Sequence, residues 1–299
     1  MPLDAEPRLK LTGDSLDTAV AGLDALDAPR LQERRHIGRW LLTVFLPPVL
    51  TLGVFIGIWQ ALWAAAIWPE FQLPAPAAVW HALIDAGALP TTTAAIVWNS
   101  ISRAFIGFVA ATIVAVPLGL LVSRVPFVRA AIGPLLQGLQ AMPSVAWVPA
   151  CIIWLGTNDQ TIYAVVLLGA VPSIANGLVA GIDQIPPLLL RVGQALGADS
   201  WQRIRHVLLP ASLPGFLAGI KQGWAFSWRS LMAAELIASS PQLGIGIGQY
   251  MDNGRSLASM ATVIAGMVMI LVIGIGIELA IFKPLERRVL RARGLGAAL

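Results

Sequence analysis

The sequence predicts an all-α, polytopic membrane protein with six transmembrane helices. Hydrophobic residues make up 57% of the 299 and charged residues only 12%, whereas a soluble domain keeps about a quarter of its residues charged to cover its surface. Six stretches supply the run of ~20 mostly apolar residues that a bilayer crossing requires. The basic residues gather at alternate ends of those stretches, the distribution expected where those ends face the cytosol.

Residues 1–38 read as a cytosolic tail. They carry Asp4, Glu6, Asp14, Asp17, Asp24 and Asp27 and lack the basic start and apolar centre of a cleavable signal. Leu16, Ala19, Val20, Leu23 and Leu26 share one helical face, which fits a docking or membrane-surface helix and equally a loosely ordered tail. A transmembrane domain over 39–284 follows. Its first span is the uncharged run Trp40–Ile67. A turn-rich stretch through Pro74 and Pro76 leads to a short polar-faced helix around Val79–Ala86. The second span, Thr93–Ser123, contains Arg103. The third region, Ala130–Thr157, is broken by Pro134, Pro143 and Pro149. The fourth runs Gln160–Ile182 with Pro172 inside. The fifth, Leu213–Ala238, is less apolar and holds Lys221, Arg229 and Glu235. The sixth, Ser256–Phe282, is free of acidic charge until Glu278, and residues 285–299 form a cytosolic C-terminal tail.

Orientation follows from the basic residues near span ends. Arg30, Arg34, Arg35 and Arg39 precede the first span, Arg124 and Arg129 join the second to the third, and Arg191, Arg203 and Arg205 join the fourth to the fifth. Lys283, Arg287, Arg288, Arg291 and Arg293 follow the sixth, against Arg255 alone on the opposite side. Both termini are therefore expected in the cytosol of a bacterial cell, the chain sitting in its inner membrane. The formal charge of +4 is accounted for by topology, and no nucleic-acid partner is implied. Cys151, the single cysteine, lies in an apolar run and reads as a packed, inert thiol.

The connection 183–212 is the longest internal cytosolic one, and a loop of that size between short connections calls for a reason. Pro186 and Pro187 stop the fourth helix, and Leu188–Leu196 forms an amphipathic helix. Gly197 supplies a left-handed helix end. Asp199 or Ser200 then caps a second short helix through Arg205, with Trp201 and Ile204 on one face. Pro210 and Pro214 shape the start of the fifth span. Two short helices at an angle, each with an apolar stripe, suit a soluble partner's grip.

This loop resembles the signature of type I ABC importer permeases: E-A-A, a glycine six residues after the Glu, and I-x-L-P ten residues beyond the glycine. The pattern falls on Arg191-Val192-Gly193, then Gly197, then Val207-Leu208-Leu209-Pro210. The spacing matches throughout; Gly197, Leu209 and Pro210 match by identity and Val207 conservatively, while Arg191 stands where the family has Glu. The likeness runs roughly from Trp59 to Arg288. LPAPAAVW over 73–80, QAMPSVAWVP over 140–149, WLG over 154–156 and WRSLMAAEL over 228–236 resemble the nitrate, sulfonate and taurine branch.

The resemblance implies a type I ABC importer permease fold and a permease subunit that pairs with a second copy, as a homodimer. Two cytosolic ABC ATPase subunits dock on the loops, and an extracytoplasmic solute-binding protein delivers solute. Arg191, Gly197, Ala198, Asp199, Trp201, Ile204, Val207, Leu209 and Pro210 are then the coupling residues. The sequence has no G-x-x-x-x-G-K-[ST] phosphate loop, so ATP and Mg²⁺ belong on the partner ATPase, and this chain holds no cofactor and performs no catalysis. Trp201 and Ile204 either fill the ATPase groove or pack on neighbouring spans.

Charged groups within spans are costly and are usually functional or paired. Arg103, Arg229 and Glu235 are candidates for the translocation pathway, where a positive lining suits a small anion. Pairing of Arg103 or Arg229 with Glu235 is the structural alternative. Met142, Pro143, Trp147 and Pro149 are further pathway candidates, since prolines within spans free backbone carbonyls; structural kinking is the alternative. Lys221 is near a cytosolic end and can snorkel. Gly169, Gly177 and Gly181 in the fourth span, and Gly266, Gly274 and Gly276 in the sixth, permit close helix approach within or between subunits. A channel or carrier working without ATP would leave the 183–212 loop unexplained; a regulatory membrane subunit without a pathway of its own stays as an alternative. An intramembrane enzyme is disfavoured because His36, His81 and His206 lie outside the spans and no H-E-x-x-H occurs.

Overall fold

Proline, glycine and capping side chains cut this apolar chain into helices, and the computed structural model describes them over residues 46–84, 92–238 and 244–291. Every regular element among the described residues is helical. The expectations for residues 1–45, including the amphipathic face at Leu16–Leu26, and for residues 292–299 lie outside them.

The chain divides into two compact units, 1–58 and 59–299. The described part of the first is the start of helix α1 (Leu46–Ala64); it is apolar on all sides, the composition of a helix with a lipid environment. In the second unit, Trp59 Nε1 donates to the Pro74 carbonyl at 3.0 Å, tying the end of α1 to the turn before α2 (Pro76–Ile84).

Helix α3 (Thr93–Arg124) begins where the Thr92 hydroxyl accepts the Ala95 N–H at 3.3 Å. The third apolar region is two helices, α4 (Pro126–Ala141) and, after a 3₁₀ turn at Ser144–Ala146, α5 (Trp147–Leu155). They bend by 97°. The break falls at Pro143, while Pro134 and Pro149 sit inside helices. Gly156, at φ +82, ends α5, and the Asn158 side chain accepts the Thr161 N–H to start α6 (Asp159–Asp183). Beyond α6 come α7 (Pro187–Ala195), α8 (Ser200–Arg203) and α9 (Leu209–Ile237). The chain closes with α10 (Ile247–Ser256), α11 (Met260–Ile277) and α12 (Lys283–Arg291). The sixth apolar stretch thus starts at Met260 rather than Ser256, because Ser256 ends the separate polar helix α10.

Four helices among the described residues are long and apolar enough to cross a membrane: Leu46–Ala64, Thr93–Arg124, Asp159–Asp183 and Met260–Arg291, with a fifth if the bent α4–α5 pair is one span. Helix α9 is not one of them. Its 29 residues extend about 44 Å, yet its neighbours are protein. It packs most extensively on α6, and that contact is made of glycine. A Cβ at Gly177 would overlap the Gly219 Cα, one at Gly215 would overlap the Gly181 Cα, and one at Gly181 would lie 2.7 Å from the Ser212 carbonyl oxygen. Backbones this close gain dispersion contact without large side chains. The expectation of close approach holds for Gly169, set against the Ser230 side chain, and for Gly266, set against Met251. Within the chain, Gly276 has nothing within 4 Å. An aromatic cluster fills the middle of α9: Trp224 meets Phe108 edge-on at 5.4 Å and stacks on Trp228 at 6.4 Å. Cys151 is buried in the same core.

Candidate functional site

The predicted coupling segment is laid out by three local devices. Pro186 and Pro187 end α6 and begin α7. After α7 the chain reverses at Gly197, whose φ of +75 is a left-handed conformation that a side chain resists. The Ala198 N–H then bonds the Gly193 carbonyl at 3.1 Å. A Cβ at Gly197 would meet nothing within 4 Å, so backbone conformation, not crowding, selects the glycine. Finally, Asp199 Oδ1 accepts the Gln202 N–H at 2.7 Å while Gln202 Oε1 accepts the Asp199 N–H at 3.0 Å, a complete capping box.

The helix that Asp199 caps does not stop at Arg205. It passes through a π-helical turn, Ile204–Leu208, in which the Leu209 N–H bonds the Ile204 carbonyl, and runs on as α9. In a regular α-helix the Pro210 ring would press on the carbonyl four residues back; the widened turn relieves that clash without breaking the helix. The segment is therefore one short helix followed by one long one, not two short ones.

Trp201 is 66% exposed, and Leu188 and Leu196 are also exposed, while Ile204 and Ala198 are half-buried. Val207 packs towards Gly193, where a Cβ would sit 3.3 Å from it. Leu209 and Pro210 are exposed at the start of α9, and Arg191 is exposed on α7. A groove of about 730 Å³ separates α7 from α9, walled by Ile185, Leu189, Val192, Leu196, Val207 and Pro210. On α4, Arg129 clamps Asp183, the last residue of α6, through two bonds of 2.9 and 2.5 Å.

At the other end of α9 the charged residues pair. Glu235 is fully buried, and its Oε1 lies 3.0 Å from Arg103 Nη1. Its Oε2 accepts from Ser100 Oγ at 2.7 Å and from the Gly248 N–H at 3.1 Å. Ser100 Oγ in turn accepts the Ile247 N–H at 2.9 Å, and Arg103 reaches the Gly244 carbonyl at 3.2 Å and Asp159 at 3.4 Å. The carboxylate thus sits on the N-terminus of α10, where free N–H groups and the helix dipole favour negative charge. Glycine makes the approach feasible: a Cβ at Gly246 would lie 2.5 Å from the Glu235 carboxylate, and one at Gly248 2.5 Å from its Cβ. Tyr250 on α10 donates to the Ala82 carbonyl at 2.7 Å, holding α10 to α2. Burial pushes the Tyr250 phenol above its ordinary pKa, so it stays a donor.

Of the two arginines considered as partners of Glu235, Arg103 is the one, and Arg229 is not in the network. Arg229 is exposed, with Nε on the Ala225 carbonyl at 3.0 Å and its guanidinium 4.7 Å over the Phe226 ring. Met142 and Pro143 are exposed at the α4–α5 bend and Trp147 is half-buried there. Lys221 is paired, 2.5 Å from Glu278 and 3.7 Å from Glu286. Sequence reading missed Ser100, Asp159, Gly246 and Gly248. The alternation of glycine at 244, 246 and 248 was the available signal.

An all-helical membrane protein with a capped, exposed turn leading into its central helix has a counterpart among solved structures. The inward-facing methionine transporter MetNI contains a chain that aligns with 64% of this one and 93% of its own length, at a TM-score of 0.55 and 20% identity, a likeness of fold. Residues 107–291 match the family model described as "Binding-protein-dependent transport system inner membrane component", and the chain belongs to that family: it is a type I ABC importer permease, a multi-pass inner-membrane protein. Similar relatives include the taurine transport system permease protein TauC of Escherichia coli, 27% identical over 87% of this chain and 94% of that one. The putative aliphatic sulfonates transport permease protein SsuC of Bacillus subtilis is 28% identical over 89% and 93%. The nitrate import permease protein NrtB of Synechocystis is 24% identical over 76% and 83%.

Proposed function

We propose that this chain forms the translocation pathway of an ATP-driven importer for a small anionic solute of the sulfonate, taurine or nitrate type. Two copies make the pathway, with α9 as the fifth of six crossings in each and both termini in the cytosol. Two cytosolic ATPases, holding the ATP and Mg²⁺, grip residues 183–212 through Trp201 and its neighbours Arg191, Gly197, Ala198, Asp199, Ile204, Val207, Leu209 and Pro210. A binding protein delivers solute on the opposite side, to a path that includes Met142, Pro143, Trp147 and Arg229, with the buried Arg103–Glu235 pair fixing the helix packing beside it. The relatives named for taurine, sulfonates and nitrate support the solute class. The observation that carries the reading is the exposed Trp201 turn, covalently continuous with α9, the helix that packs along α6. ATPase closure against such a turn tilts α9 and the helices packed on it, a rigid-body switch biased by a partner.

Reconstitution tests this. Proteoliposomes holding this chain, its ATPase and its binding protein should take up taurine or nitrate only with ATP inside. A cysteine placed at Asp199 should react with an impermeant thiol reagent from the cytosolic face only; Cys151 is buried and leaves that background low. Reaction from the outside would overturn the assignment.

A further inference from the structure

A cavity of about 650 Å³ opens between α9, α11 and α12, and its wall includes Trp224, Trp228, Arg229, Gly274 and Phe282. Trp228 is only 6% exposed, yet its Nε1 has no hydrogen-bond partner. An indole N–H can only donate, and a buried donor left unmade marks a place for an acceptor from outside the chain. The donor borders the cavity: a Cβ added at Gly274 would find Trp228 Nε1 at 3.9 Å and no other atom within 4 Å. Gly274 therefore keeps open the space in front of the N–H.

The charges around the cavity are unequal in their availability. Lys221 is held by Glu278 and Glu286, whereas among the described residues no ion pair joins Arg229 to a carboxylate. The charged residues lining the cavity, Lys221 and Arg229 against Glu278 and Glu286, sum to zero. A bound monoanion leaves that lining one charge negative and a dianion leaves it two, so the monoanion is the cheaper guest. The aromatic walls lower the local dielectric, which strengthens both effects.

We infer that this cavity is a subsite for a monovalent oxyanion, bound by the Trp228 indole N–H and the Arg229 guanidinium in the space left by Gly274. The inference rests on the importer reading and gives its solute a stopping place beside α9. Radiolabelled methanesulfonate binding to the full transporter in nanodiscs tests it, with co-purification of the ATPase confirming that each variant assembles. Trp228→Phe keeps the ring and removes the donor; binding should weaken roughly tenfold, the worth of one hydrogen bond to a charged group. Arg229→Gln should weaken it further. Gly274→Leu should block it with both polar groups intact, and sulfate should compete at least roughly tenfold less well than nitrate, by the charge argument above. The subsite is overturned by a wild type without saturable binding, by Trp228→Phe binding as wild type does, or by sulfate competing as well as nitrate. It is also overturned if Gly274→Leu alone has an effect, since the cavity would then house an acyl chain. ATP-driven uptake without saturable binding removes the subsite and leaves the importer; donor-dependent binding without ATP-driven uptake does the reverse.

Discussion

The two ends of the continuous helix from Ser200 to Ile237 are built on opposite principles. At the Glu235 end both carboxylate oxygens are bonded and fully buried, and arginine, serine and a helix N-terminus converge on them. At the Trp201 end a large aromatic side chain stands 66% exposed on a helix held by its own capping box. Between them the α6 contact is backbone against backbone. One end is anchored and the other is presented, so a force on the presented end has a fixed point to work against.

That contrast can be broken at its strongest element first. Gly177→Leu drives a side chain into the Gly219 backbone and should cost about 3 kcal/mol or more, seen as a lost or sharply lowered thermal transition. Gly276→Leu, with open space around it, should melt as wild type does. Next is the anchor. Arg103→Ala leaves the buried Glu235 carboxylate without its cation and should cost about 3–5 kcal/mol by melting in detergent; pairing it with Glu235→Leu should recover most of the loss. The presented end responds differently. Trp201→Ala should leave the melting temperature unchanged and weaken ATPase association by about 2 kcal/mol, read by titrating ATPase onto immobilised chain. Gly197→Ala places a methyl in open space at a left-handed φ and should cost about 1–2 kcal/mol locally, seen as faster amide exchange in 196–203. Asp199→Ala removes the cap for about 1 kcal/mol, with the same readout and a smaller change.

Local chemistry was legible in the sequence because it acts over a few residues. Gly197 and Asp199 each carry their conformational reason within four positions, and the structure places the left-handed residue and the cap there. The helix beyond was misjudged because the remedy for Pro210 is a widened turn, and nothing in composition separates a widened turn from an ended helix. The low apolarity of the fifth segment was visible, but its cause was not: Gly215, Gly219 and Ser230 are matched to α6 residues 34 to 61 positions away in sequence, a pairing that only the fold brings about. The same holds for Glu235, where the choice of Arg103 over the much nearer Arg229 depends on which face of α9 meets α3. Trp228 was readable only as an apolar residue in a family-like run, because a missing partner is a property of the surroundings.

The π turn at Ile204–Leu208 sets an angular register. Removing one of its five residues would restore ordinary α geometry and turn everything N-terminal to it by about 100° around the axis, with only ~1.5 Å of shortening. Such a chain would bring back the Pro210 clash that the wide turn relieves, and Trp201 would point into a different quadrant. The insertion works as a clocking pin between shaft and crank.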